Sequence, residues 1–172
     1  MKNFLLLYSW FVSLLLSWLP DAPLTMRLRG FVYSFALNDC GKNFQVASRV
    51  IIRGLANLRI GDNVYIGPNS FINCHELIEI HDEVLIGPNC VITSGNHSNH
   101  NKSFRFSKSI TAPISIGKGS WIAANCTIIA GVSIKNNVLI AANSCVTKST
   151  TESSIYGGVP AKFIKKLNDK TI

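Results

Sequence analysis

Between positions 95 and 148 the sequence has no acidic residue, and nowhere does it contain a linker rich in Pro, Gly and Ser, a Gly-x-Ser-x-Gly elbow or a Cys-x-x-Cys pair. Each absence removes a class of protein. Without a linker, 172 residues read as one folded unit with appended ends. Five cysteines (Cys40, Cys74, Cys90, Cys126 and Cys145), odd in number and without paired spacing, argue against a disulfide framework or a thiolate zinc site and fit a reducing compartment. The missing elbow disfavours a covalent acyl-serine route. Residues 95 to 148 hold six basic residues and no acid, whereas residues 56 to 94 hold one Arg against five acids. A net charge of +8 divided in this way suits an anionic ligand on one side.

A spanning segment is also lacking. Phe4 to Leu19 is an apolar run of sixteen residues interrupted by Ser9, Ser13 and Ser17, shorter than the roughly 20 residues that cross a bilayer. A cleaved signal would end on small residues, but the chain continues Leu19-Pro20-Asp21-Ala22-Pro23, with Lys2 as the one positive charge ahead of the run. Tyr8, Trp10 and Trp18, the stop at Pro20 and the basic Arg27 and Arg29 suit a helix that lies in a membrane interface or packs on a partner. An ordinary helix capping the core fits equally.

What is abundant is a period. Aliphatic residues recur every six positions at Ile116, Ile122, Ile128, Ile134, Ile140 and Val146. The same register runs through Val46 and Ile52, then Ile60, Ile66 and Ile72, then Ile80, Ile86 and Ile92, slipping by two residues between groups. Four positions after each comes a second small or β-branched residue, such as Val64, Ser70, Val84, Cys90, Ser120, Cys126, Val132, Val138 and Ser144. Two inward positions in six match neither helix nor plain strand, but they match a triangular coil with three hexads to the turn. The residue after the aliphatic one is small in most hexads (Gly61, Gly67, Asn73, Gly87, Gly117, Ala123), as a tight corner requires.

The segment from Ile114 to Lys166, with its Trp121-Ile122 repeat, the Val146-Thr147-Lys148-Ser149 stretch and the Gly157-Gly158-Val159-Pro160-Ala161-Lys162 ending in order, resembles the hexapeptide-repeat acyltransferases, close to their sugar O-acetyltransferase branch. The resemblance covers residues 46 to 168, about 70% of the chain. It implies an all-β fold, a left-handed parallel β-helix with an N-terminal helical segment and a C-terminal tail. Residues 1 to 45 are then a helical cap or membrane-interface segment, 46 to 149 the coil with an inserted loop at 95 to 113, and 150 to 172 a tail folding back. It further implies homotrimers with active sites between subunits and acetyl-CoA as co-substrate.

The loop carries His97, His100, Lys102, Arg105 and Lys108. Acyl transfer to a hydroxyl needs a base near neutrality, a role suited to imidazole, and His97 falls where the family places its catalytic histidine. His100 reads as a solvated loop residue, and Cys90 and Cys126 as small core residues. By resemblance, Ala124 and Ala142 bond the pantetheine arm through main-chain atoms. Thr147, Lys148, Lys162 and Lys165 match positions contacting the nucleotide end, Lys standing at the last two where some relatives carry Arg. Trp121 lines the acceptor and pantetheine tunnel in relatives, and Asn73, with His75 close by, lies near the acceptor sugar.

The resulting expectation is an acetyl-CoA-dependent O-acetyltransferase acting on a sugar hydroxyl in capsule or O-antigen biosynthesis. It would be cytoplasmic, with peripheral contact at the inner membrane face through residues 1 to 20, and would need neither metal nor nucleic acid. Antibiotic acetylation or N-acetylation of an amino sugar fits the same coil. A zinc-dependent carbonic anhydrase fits poorly, because those enzymes space paired histidines by five, whereas His97 and His100 are three apart. A non-enzymatic β-helix fits poorly too, since the outward positions Tyr65, Phe71, Leu85, Trp121 and Leu139 form no uniform ladder.

Overall fold

The structure is a computed structural model that describes residues 2–167. Two helices, α1 (Lys2–Leu16) and α2 (Pro23–Ser34), precede a parallel β-helix of very short strands. One wall of the coil stacks Asp39–Cys40, Leu58–Ile60, Ile78–Ile80, Ile114–Ile116 and Ser133–Ile134. The second begins at Gln45–Val46 and continues through Tyr65–Ile66, Leu85–Ile86, Trp121–Ile122 and Leu139–Ile140. The third runs Ile51–Arg53, Phe71–Asn73, Val91–Thr93, Thr127–Ile128 and Cys145–Val146. The first strands of two walls therefore fall at or before residue 46, inside or beside the segment read from sequence as a helical cap.

The period of six becomes columns of stacked side chains. Ile60 lies over Ile80, Ile66 over Ile86 and Ile72 over Ile92, residue for residue in parallel register. Ile66, Ile72, Ile86, Ile92, Ile116, Ile122, Ile128 and Ile140 are wholly excluded from solvent, so each contributes about 1.5–3 kcal/mol of burial. The second inward position tolerates hydroxyls because the coil supplies partners for them. Ser70 donates to Gly87 O at 3.1 Å and accepts from Cys90 N at 3.1 Å, and Ser120 donates to Lys135 O at 2.9 Å.

The small residue after each aliphatic one is small because the next turn crowds it: a Cβ on Gly67 would sit 2.5 Å from the carbonyl carbon of Gly87. The sharp change of direction comes two residues later. Asn63, Asn69, Asn89, Asn125, Asn137 and Asn143 all adopt left-handed backbone, with φ between 52° and 59°, a conformation Asn tolerates better than most residues.

After Cys145–Val146 the chain adds Ser154–Gly157 to the second wall, then reverses into the antiparallel strand Lys162–Lys166. Residues 168–172 of the tail lie outside the described residues.

The helices are bound to the first turn through Arg29 of α2. Its guanidinium, 2% exposed, donates to Leu16 O at 3.0 Å, to Leu19 O, to Val46 O at 3.2 Å and to Asp21 Oδ1 at 2.8 Å. Asp21 in turn accepts from Ser48 N at 2.7 Å and Ser48 Oγ at 2.9 Å. One cation thus ties the last carbonyl of α1, the connecting turn and the first turn of the coil together. Arg29→Met removes the bonds to Leu16 O, Leu19 O and Val46 O and the ion pair with Asp21, and should cost about 3 kcal/mol. A lowered thermal midpoint, with early proteolytic release of α1, is the expected reading; an unchanged midpoint would refute the clamp.

Candidate active site

The coil is interrupted after Val91–Thr93. Buried Ser94 fixes the departure, its Oγ donating to Glu76 O and accepting from Glu76 N, both at 2.8 Å. What reads as a loop in sequence is a β-hairpin: Gly95–His97 pairs antiparallel with Ser109–Thr111, setting His97 opposite Ser109. Ser98 N and Oγ continue the pairing to Lys108 O at 3.3 and 2.9 Å, and His100 and Ser103 close the next rung with reciprocal backbone bonds of 3.0 Å. Asn101 and Lys102 turn the chain with φ of 50° and 60°. The hairpin rejoins the coil where Ala112 N donates to Ser94 O at 3.1 Å. His97 is therefore held on a strand, with its imidazole exposed.

His75 lies at the root of this hairpin. A Cβ on Gly95 would meet its Cδ2 at 2.4 Å, so the imidazole occupies the space that any larger residue two places before His97 would need. Half-buried Asn73 stands in the third wall between Arg53 on one side and Thr93 on the other. Asn73, His75 and His97 thus gather around one corner of the coil.

The remaining residues named from sequence lie elsewhere. Trp121 projects from the second wall between Leu85 and Leu139, 39% exposed. Ala124 and Ala142 occupy successive turns of the corner after that wall, linked by the bond from Asn143 N to Ala124 O at 2.9 Å. Lys162 and Lys165 sit exposed on the final antiparallel strand, opposite Gly157 and Ile155, at the end of the same wall as Trp121. Thr147 and Lys148, both exposed, leave the third wall at its last turn, on the hairpin's corner but farther along the coil. One chain therefore places the residues named from sequence in two groups, a histidine hairpin at one corner and a Trp–Ala–Lys strip along another wall and its edge.

Sequence reasoning missed Ser94 and Gly95 as the residues that fix the hairpin, although the small pair directly before Asn96-His97 was the available signal. It also missed Arg53, which the twenty-residue spacing to Asn73 would have aligned with the site. Its guanidinium lies 5.4 Å from the Phe71 ring centroid.

A family profile described as "Bacterial transferase hexapeptide (six repeats)" matches residues 113–148, and "Hexapeptide repeat of succinyl-transferase" matches 57–95. The "Putative lipopolysaccharide biosynthesis O-acetyl transferase WbbJ" of Escherichia coli is 32% identical over 146 residues, covering 76% of this chain and 72% of that protein. The chain belongs to the hexapeptide-repeat acetyltransferase family. Another member, "Galactoside O-acetyltransferase" of E. coli, is 33% identical over 130 residues, and the match spans 76% of this chain but 64% of that relative's length. A solved structure, "Galactoside acetyltransferase in complex with coenzyme A", superposes with a TM-score of 0.86 at 27% identity, covering 98% of this chain and 84% of that one.

Inward hexad positions of the coil include the thiols of Cys90 and Cys126. Burial pushes Cys74 from 9.0 up to about 12 and Cys90 up to about 11, while burial together with Asp39 and Asp62 raises Cys40 to about 11. Burial also lifts Tyr33 from 10.0 to about 12. Raised folded values mean that the native state holds these protons after the unfolded chain has released them. Their contribution to stability is therefore complete below about pH 8.5 and is lost as pH climbs toward 11 and 12. The urea midpoint should fall between about pH 8 and about pH 10.5, and native Cys74 and Cys90 should resist alkylation at about pH 8 while reacting in urea. Rapid labelling of native Cys74 would contradict this burial.

Proposed function

We propose that the protein transfers an acetyl group from acetyl-CoA to a hydroxyl of a sugar, within the assembly of a surface polysaccharide such as capsule or O-antigen. The observation that carries this reading is the histidine on a braced hairpin, rooted beside Asn73 and His75, within a chain of this family.

In the proposed reaction the His97 imidazole takes the proton of the acceptor hydroxyl as its oxygen attacks the thioester carbonyl. The tetrahedral intermediate then collapses, the carbon–sulfur bond breaks, and coenzyme A leaves as a thiolate that takes the proton back from the imidazolium. Asn73 and His75 orient the sugar. Ala124 and Ala142 offer main-chain groups to the pantetheine arm, and Trp121 lines it. Thr147, Lys148, Lys162 and Lys165 meet the phosphates, where charge-assisted bonds are the strong ones. The chemistry of Thr147 and Lys148 suits a polyanion, since positions 95 to 148 hold no acid to compete.

Two half-sites at different places on one chain suit a homotrimer in which the hairpin of one subunit serves the strip of the next. Among the described residues no helix is long and apolar enough to cross a membrane. The exposed apolar side chains between Phe4 and Trp18 support contact with a membrane face, which in this reading is the inner one.

His97→Ala should lower kcat about 10²-fold or more while coenzyme A affinity stays nearly unchanged. Thiol release from acetyl-CoA against a panel of sugars and sugar nucleotides, run with both proteins, is the measurement. Release unaffected by the substitution would remove His97 from the mechanism.

A further inference from the structure

Helix α1 is amphipathic in the inverted sense. Tyr8 and Ser9 face the protein, Ser9 Oγ donating to Ile52 O and Tyr8 Oη to Val32 O, and just past the helix Ser17 Oγ accepts from Arg49 N at 3.3 Å. Its outer half is Phe4, Leu7, Trp10, Phe11, Leu14 and Leu15, each half or more exposed. An apolar outer face of this kind suits a hydrocarbon boundary better than water.

Where the flank of α1 meets the third wall, an open groove of about 460 Å³ forms between Leu6, Leu7, Trp10 and Ser13 on the helix and Ile51 and Arg53 on the coil. Its volume lies within the range of small-ligand pockets, about 300–1,000 Å³. The lining is mostly apolar, its polar groups being the Trp10 indole N–H, the bonded hydroxyls of Ser9 and Ser13, and the Arg53 guanidinium, which is exposed. Arg53 pairs with Asn73 on the next turn, and Asn73 pairs with Thr93 on the turn after that, where the hairpin departs. Successive turns are about 4.8 Å apart, so the guanidinium's own strand lies about 10 Å from the hairpin root. Hydrocarbon groove, single cation, amide and histidine hairpin follow one another along a single line.

We infer that this groove binds the lipid phosphate of a membrane-held acceptor, a sugar esterified through phosphate to a long-chain hydrocarbon alcohol. The chain lies against Trp10, Leu6 and Ile51, the phosphate takes Arg53, and the sugar beyond it reaches Asn73 and the hairpin. The lipid site rests on the acyltransferase reading only for what happens to the sugar. A free nucleotide sugar would leave the hydrocarbon wall without purpose, whereas a lipid-linked one uses both wall and cation.

The test uses the full chain and farnesyl phosphate as probe, with farnesol, inorganic phosphate and phosphatidylglycerol vesicles as comparisons and coenzyme A as control ligand. Farnesyl phosphate should quench Trp10-dependent fluorescence, bind about tenfold more weakly to Arg53→Gln, and not bind to Ile51→Glu, whose site is exposed. Farnesol should bind both wild type and Arg53→Gln equally and weakly. Equal affinity of farnesyl phosphate for wild type and Arg53→Gln would overturn the proposal, as would inorganic phosphate competing on equal terms. A tenfold loss of vesicle binding in Arg53→Gln would assign the cation to phospholipid headgroups and overturn it also. Coenzyme A should bind all three proteins alike. If wild type fails to bind it, the acyltransferase reading fails, while the farnesyl phosphate series still decides the groove.

Discussion

Every turn of the coil can satisfy its backbone only through the turns on either side of it, at a spacing that hydrogen bonding fixes. That constraint dictates what each hexad must contain. The inward aliphatic residue must stack on its equivalent, as Ile66 does on Ile86, and the residue after it must leave room for the neighbouring turn, as Gly67 does for Gly87. It also leaves open edges at the two ends. At one end the helices cover the first turn; at the other the chain turns back on itself as Lys162–Lys166. Neither end is decoration: each occupies a surface that would otherwise pair with another chain.

The same rigidity explains where chemistry can be placed. A wall of two- and three-residue strands has no room for a deep pocket, so the proposed base is carried out on an excursion whose root is fixed. Ser94 and the Gly95–His75 contact supply that root, and strand pairing as far as Ser98 extends it, so that His97 keeps a defined direction although it stands clear of the coil. The strip around Trp121 and the lysines belongs to another part of the solenoid, so under the proposed reaction the two meet only between subunits.

Most of the coil was legible in the sequence because its signal repeats: a column of isoleucines at a spacing of six is read many times over, and each reading reinforces the next. Features with a weaker signal were harder. The Asn residues with left-handed backbone carry a clear residue preference, yet they stand in outward positions where composition alone suggests only polarity. The hairpin read as an irregular loop because its strands, Gly95–His97 and Ser109–Thr111, are three residues each and follow no hydrophobic alternation. The inverted orientation of α1 was invisible for a related reason. Its serines recur every fourth residue, but that spacing does not say which way they face, and the carbonyls that draw Tyr8 and Ser9 inward belong to Val32 and Ile52, distant in sequence.

The Arg29 clamp bears on how the molecule moves. The guanidinium holds the end of α1, the Asp21 carboxylate of the connecting turn and the Val46 carbonyl of the coil in one knot, so no loose joint separates the helices from the solenoid. Whatever surface seizes the helices therefore sets the attitude of the whole rod, in the way a keel sets the heading of a hull. The tilt of the solenoid, and with it the direction in which the histidine arm reaches, is decided at the first turn rather than at the arm.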